Sequence, residues 1–217
     1  MLKLNTLSKR LVDALLHIDE EECTMLLKNL LSQGNDLSPL EDVVIPALEH
    51  IGLTWEEGRI SLSQVYMAGR ICERVVEEVF LTACSSRFDH HPRIAIGVIE
   101  DHHALGKRMV ISALRSSGFN LLDYGHGLKA ADLVERTLRD QVDILLISCL
   151  MLTSAVRVKD VMEGLEKTGS RTVVVVGGAP FRLAPQLWKE VGAQHMGRSS
   201  GEAVRIVQTL TENRIWE

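Results

Sequence analysis

The feature that most constrains this chain is a set of short, unbroken apolar runs in its second half: Ile94-Ala-Ile-Gly-Val-Ile99, Ile144-Leu-Leu-Ile147 and Val173-Val-Val-Val176. A strand with one face in water alternates apolar and polar residues, whereas a strand covered on both faces is apolar throughout, the habit of parallel sheets. Stretches of helical periodicity separate the runs, so the pattern is strand, helix, strand, repeated. Strands are expected at 93–99, 119–124, 142–148, 171–176 and near 194–196, with helices near 105–117, 130–140, 155–168, 183–191 and 200–212. Right-handed crossovers then give a flavodoxin-like or Rossmann-like five-stranded parallel sheet.

The first half reads differently. Leu4, Leu7, Leu11 and Leu15 recur at helical spacing over residues 4–17, and Met25, Leu26, Leu27, Leu30 and Leu31 follow Asp19, a natural N-cap, up to a stop at Gly34-Asn35. A third helix is expected from Ser38-Pro39, with Pro46 forcing a kink or a late start. Gly58 breaks the chain before a long fourth helix over 61–84. The whole is therefore α/β with an all-α N-terminal domain: a four-helix unit at 1–88 and the α/β domain at 93–217, joined by the polar, Pro-ended segment 84–92. By periodicity alone, the helical half is a packing or dimerisation module, which makes a homodimer an open reading. His90 and His91 receive no role.

Charge and cysteine content narrow the partners. A net charge of −5 argues against nucleic acid, which needs clustered Lys and Arg. No apolar run approaches the ~18 residues of a membrane span and no signal-peptide pattern stands at the N-terminus. Cys23, Cys72, Cys84 and Cys149 are scattered, the mark of reduced thiols. A cytoplasmic protein without membrane contact is expected.

The first apolar run ends at Asp101-His102-His103-Ala104-Leu105-Gly106, where an open α/β sheet places its ligand. A neutral imidazole can use one ring nitrogen on a metal while the other donates to a carboxylate. Asp101-x-His103 is half of such a site, and no Cys-x-x-Cys or His-Glu-x-x-His supplies the rest. A single His ligand suits a metal already held by a macrocycle. On the residues alone, a polar loop cap or an acid/base pair is the commoner arrangement of a strand-end Asp and His. Gly125-His126-Gly127-Leu-Lys-Ala130 matches a dinucleotide fingerprint, but follows the second strand and lacks an acid after the next, so a glycine-eased turn is the better reading. His126 there faces either a ligand edge or solvent.

Taken together, Asp101-x-His103-x-x-Gly106, Ser148-x-Leu150 after 41 intervening residues and Gly177-Gly178 after a further 26 resemble the signature of the cobalamin-binding domain. That domain is shared by methionine synthase, by base-off mutases such as methylmalonyl-CoA mutase, and by corrinoid proteins of methyltransferase systems. The resemblance implies that His103 is the lower axial ligand of cobalt, with Asp101 tuning its basicity, within a loop of Asp101, His102, His103, Ala104, Leu105 and Gly106 that meets the cofactor. It implies that Ser148, Leu150, Gly177 and Gly178 line a slot for the nucleotide tail. Thr153 and Ser154 open the next helix as N-cap candidates, Ser154 at the position whose hydroxyl extends the Asp and His chain in methionine synthase.

The segment 44–62 is similar to the helical cap of methyl-carrying members, which gives Leu62, Tyr66 and Met67 two readings: cover for the upper face of the corrin, or plain core. The implied function is a non-catalytic corrinoid carrier, base-off/His-on. It alternates between cob(I)alamin and methylcobalamin as it moves a methyl group from a donor-specific methyltransferase to an acceptor methyltransferase, with a reductive activase as a further partner. A cobalamin-sensing regulator and the small subunit of a mutase are the alternatives. The sequence departs from the family pattern at Glu100 (commonly Gly), at Ala104 (often Asp) and at His102. Neighbouring strand-end side chains point apart, so one imidazole alone should reach the metal, and the spacing selects His103.

Overall fold

The computed structural model describes residues 5–31, 38–81 and 92–213. The chain divides into two compact units, Met1–Cys84 and Ser85–Glu217, and each is treated by itself. The expected stop at Gly34-Asn35, residue Leu4 and the segment 84–91 lie outside the described residues.

The helical unit contains α1 (Thr6–Leu16), α2 (Glu20–Leu31), α3 (Ser38–Glu56) and α4 (Leu62–Leu81). Local chemistry sets the ends. The Asn5 side chain accepts from Ser8 N at 2.7 Å to open α1, and Asp19 accepts from Glu22 N at 3.0 Å to open α2. Ser61 and Gln64 form a reciprocal cap before α4: Gln64 N donates to Ser61 Oγ and Ser61 N donates to Gln64 Oε1. Pro46 does not delay α3, which runs through it. Its ring removes the N–H that would have bonded Asp42 O, and that carbonyl accepts instead from Asn5 Nδ2 at 3.5 Å. Leu11, Leu15, Leu27, Leu40, Val44, Ile51, Ile71 and Val76 fill the core between the helices.

The second unit holds β1 (Ile94–Val98), α5 (Leu105–Ser116), β2 (Leu121–Asp123), α6 (Ala130–Arg139), β3 (Ile144–Ser148), α7 (Leu152–Val156), α8 (Val158–Lys167), β4 (Val173–Gly177), α9 (Ala179–Leu183), α10 (Leu187–Glu190), β5 (His195–Gly197) and α11 (Ser200–Asn213). All five strands are parallel, in the order β2-β1-β3-β4-β5, the flavodoxin-like arrangement. Helices α5 and α11 pack together, as do α6 and α8. The apolar runs are buried at every position of β1 and at the first four of β3 and β4. Two expected helices differ: 155–168 becomes α7 and α8 about Arg157, and 183–191 shortens to α10, with the separate short helix α9 before it and Ala184 extended between them.

Two features of the sheet bring the motif residues together. The chain leaves β1 toward β2 and returns to place β3 on the other side of β1, so the loops after β1 and β3 diverge at a topological switch point, where such sheets bind ligands. The register also aligns Val98, Ser148, Gly177 and Gly197 in one row across β1, β3, β4 and β5. Residues far apart in sequence thus end their strands side by side.

Candidate functional site

At that switch point stands Asp101, its carboxylate 1% exposed, beside a His103 ring that is 60% exposed. One carboxylate oxygen accepts from His103 Nδ1 at 2.5 Å and from His103 N at 3.0 Å. The other accepts from Leu150 N and Met151 N, both at 3.0 Å, in the loop after β3. Burial opposes the charge, but the His103 ring and the three backbone donors outweigh it and hold the carboxyl below its usual range. An ionised acceptor keeps the proton of the neutral imidazole on Nδ1 and leaves Nε2 as a lone-pair donor. The geometry therefore leaves His103 Nε2 as a single, exposed, oriented nitrogen that could ligate a metal.

The loop bearing His103 is fastened on every side. Gly127 N donates to Asp101 O at 2.7 Å, Glu100 N to Leu128 O at 2.9 Å, and the Ser154 hydroxyl to Glu100 O at 3.1 Å. Glu100 has φ +42°, in the left-handed region that favours glycine. That is a physical reason for the glycine common at this place in the resembling family; here Glu100 carries a carboxylate that pairs with Arg157 at 3.4 Å. The two adjacent imidazoles do take different partners: His103 goes to Asp101, and His102 to His126.

The other motif residues gather around this pair. Gly106 abuts Ser148, for a Cβ at Gly106 would lie 3.5 Å from Ser148 Oγ. Ser148 and Gly177 are half-buried at the open ends of strands otherwise sealed. The glycines serve the protein itself: a Cβ on Gly178, at φ +118°, would fall 1.8 Å from Cys149 O, and one on Gly177 would fall 3.0 Å from Gly197 O. Leu150 lies exposed beside Met151 and Leu152. Ala104 is buried and Leu105 opens α5.

Two expectations change. Thr153 and Ser154 are not the N-cap of the helix after β3; Met151 is, and they lie in its first turn. Ser154 does not extend the Asp101–His103 chain in this structure, because Asp101 is satisfied by Leu150 N and Met151 N and the hydroxyl turns to Glu100 O. On the helical unit, Leu62 and Tyr66 are about two-thirds exposed and Met67 more than one-third. They are not part of that unit's core.

The sequence reading missed Lys107. Its side chain is 5% exposed and pairs with Asp123 at 2.5 Å, and Asp123 also accepts from Gly125 N at 2.8 Å. This ties the first turn of α5 to the turn after β2. The signal was present in the helical phase, which sends position 107 inward, but a lysine there has meaning only once Asp123 is placed beside it. The Gly125–Gly127 segment is the glycine-eased turn expected, with both glycines at positive φ, and it pairs with the end of β1.

Among the described residues, no group of three or more His, Cys, Asp or Glu converges to hold a metal. One exposed imidazole nitrogen, locked in tautomer by a buried acid, beside half-open strand ends of small residues, fits a metal that arrives in its own macrocycle and spends one coordination position on the protein. Fold and site together define a corrinoid-binding protein with a helical N-terminal unit.

Comparison with known proteins agrees. A B12 binding domain model matches residues 93–207, and a second model of that description matches residues 7–79. The chain belongs to the B12-binding family, and its cofactor is a cobalamin-type corrinoid. It is 27% identical over 214 residues to dimethylamine corrinoid protein 3 of Methanosarcina acetivorans, covering 97% of this chain and 99% of that one. Dimethylamine corrinoid protein 1 of the same organism is 31% identical over 176 residues, 79% of this chain and 81% of that one. The solved monomethylamine corrinoid protein of Methanosarcina barkeri superposes with a TM-score of 0.76 at 25% identity, over 92% of this chain and 96% of that one. None of the helices among the described residues is long and apolar enough to cross a membrane.

Proposed function

We propose that this chain is a methyl-carrying corrinoid protein that binds its cofactor base-off/His-on through His103 and serves a donor-specific and an acceptor methyltransferase in turn. The observation that carries the reading is the Asp101–His103 pair: one ring nitrogen is spent on a buried carboxylate and the other stands free at the switch point. A relative matching nearly the whole chain is named dimethylamine corrinoid protein 3, which supports a methylated amine as donor; a reductive activase would be a further partner.

When bound, the corrinoid supplies a cobalt able to accept and release a methyl group. The residues of the chain supply position. His103 would hold the metal through Nε2. Asp101, held ionised by its hydrogen-bond donors, accepts from Nδ1 and so fixes the tautomer and orientation of that ring, which directs Nε2 to the metal. Ser148, Gly177 and Gly178 would line the slot for the nucleotide tail, and Leu62, Tyr66 and Met67 of the domain 1–88 are exposed apolar side chains available for contact with a ligand.

The test is a methyl-transfer assay. The full chain, loaded with hydroxocobalamin and reduced, is offered monomethylamine, dimethylamine and methanol, each with its methyltransferase. Methylation of the bound corrinoid in one of these mixtures, lost in His103→Ala, is the expected result. Loading without methylation in any of them would overturn the carrier role and leave corrinoid binding in place.

A further inference from the structure

The axial-ligand loop and the turn after β2 bring together two side chains to which the corrinoid reading gives no chemical role. His102 Nδ1 and His126 Nδ1 are 3.2 Å apart, with ring centroids 5.3 Å apart and planes at 76°. We infer that His102 and His126 form a separate two-imidazole site for a borderline divalent cation of the Zn2+ type, with water completing its coordination. Zinc–imidazole bonds of about 2.0–2.1 Å at a tetrahedral centre put two ligand nitrogens about 3.3–3.4 Å apart, close to the separation seen here. The remaining positions are open on the solvent side, since both residues are exposed.

The pair is built and braced. A Cβ on Gly127 would come within 2.8 Å of His102 Cε1, so the absence of a side chain at 127 makes the seat for that ring. Gly125 and Gly127, at φ +89° and +69°, bend the turn that presents His126. Both loops are short-leashed: Gly127 N bonds Asp101 O at 2.7 Å, and Gly125 N bonds Asp123 at 2.8 Å. Two ligands on braced loops lose little freedom on binding an ion, which is what makes a two-residue site worth having. Imidazole nitrogens favour zinc, copper and nickel over magnesium or calcium, which fixes the class of ion. A bound ion would tie the His103 loop to the turn after β2.

The two-imidazole site does not depend on corrinoid binding and is tested apart from it. Zn2+ is titrated against a chromophoric chelator into the full chain, for wild type, His102→Gln, His126→Gln and His103→Gln, with circular dichroism to confirm folding. Wild type and His103→Gln should take up one equivalent with the same affinity. Affinity should fall by at least about tenfold in His102→Gln and in His126→Gln, no less than loss of an outer-shell partner costs. With Cu2+ as probe, paramagnetic resonance should show coupling to two nitrogens in wild type and one in each of those variants. Absence of saturable uptake, affinity unchanged by His126→Gln, or loss with His103→Gln instead would overturn it. Cobalamin loaded into His126→Gln should keep its His-on spectrum, so failure of the zinc site leaves the corrinoid reading standing.

Discussion

Replacing Asp101 with Asn changes one atom and tests the logic of the whole site. The carboxylate accepts four hydrogen bonds, from His103 Nδ1, His103 N, Leu150 N and Met151 N. An amide has one acceptor oxygen. Turned toward His103, it would set its NH2 against two buried backbone donors; turned toward Leu150 and Met151, it orphans His103 N alone, so the second orientation wins. The orphaned donor costs about 1–3 kcal/mol, and weakening of the two charge-assisted bonds that remain brings the loss to about 2–4 kcal/mol. In that orientation the amide donates to His103 Nδ1, moving the ring proton to Nε2 and removing the Nε2 lone pair on which the proposed ligation depends. Urea unfolding of the cofactor-free chain should show the stability loss, and the loaded variant should lose its His-on spectrum. Stability within about 0.5 kcal/mol of wild type together with an unchanged spectrum would refute the reasoning. The same carboxylate makes stability depend on pH. Burial pushes the Asp101 carboxyl up and its hydrogen bonds pull it further down, so its net folded value is depressed. Its contribution is whole above the unfolded value near 3.8 and is lost as pH falls through the lower folded one. The stability difference between wild type and Asp101→Asn should therefore shrink below about pH 3.8.

Other substitutions probe the frame. Gly178→Ala should cost about 3 kcal/mol or more in denaturant unfolding, since its backbone conformation is nearly glycine-only and Cys149 O occupies the place of the new methyl. Glu100→Gly should stay within about 1 kcal/mol of wild type, because relief of about 1–2 kcal/mol of left-handed strain is offset by the looser unfolded chain and the lost exposed ion pair. Glu100→Val should be measurably less stable than either in the same assay. Lys107→Met should cost about 1–3 kcal/mol, less than a fully buried pair because Asp123 is 40% exposed and rehydrates, and should speed amide exchange at Gly125.

The sheet was legible because its strands are buried on both faces, so Ile144–Ile147 and Val173–Val176 announce themselves without context. Asp101 and His103 were legible because the abrupt end of such a run is itself a signal. What was not legible depends on neighbours distant in sequence. The partner of Ser154 is a carbonyl 54 residues away, the acceptor of Lys107 lies 16 residues on, and the break at Arg157 is not written in the apolar periodicity. The glycines show the same limit. Their positions were readable, but the reason for Gly178 appears only when Cys149 O is seen against it.

The central claim is tested most directly by the source of the nitrogen on cobalt. The full chain is prepared with 15N-histidine, loaded with unlabelled cobalamin and reduced to the paramagnetic cob(II) state, and the axial nitrogen splitting is read by paramagnetic resonance. Ligation by His103 predicts a two-line splitting from its spin-½ 15N, absent in His103→Ala. A three-line splitting from the 14N of the nucleotide base, unchanged in that variant, would contradict it.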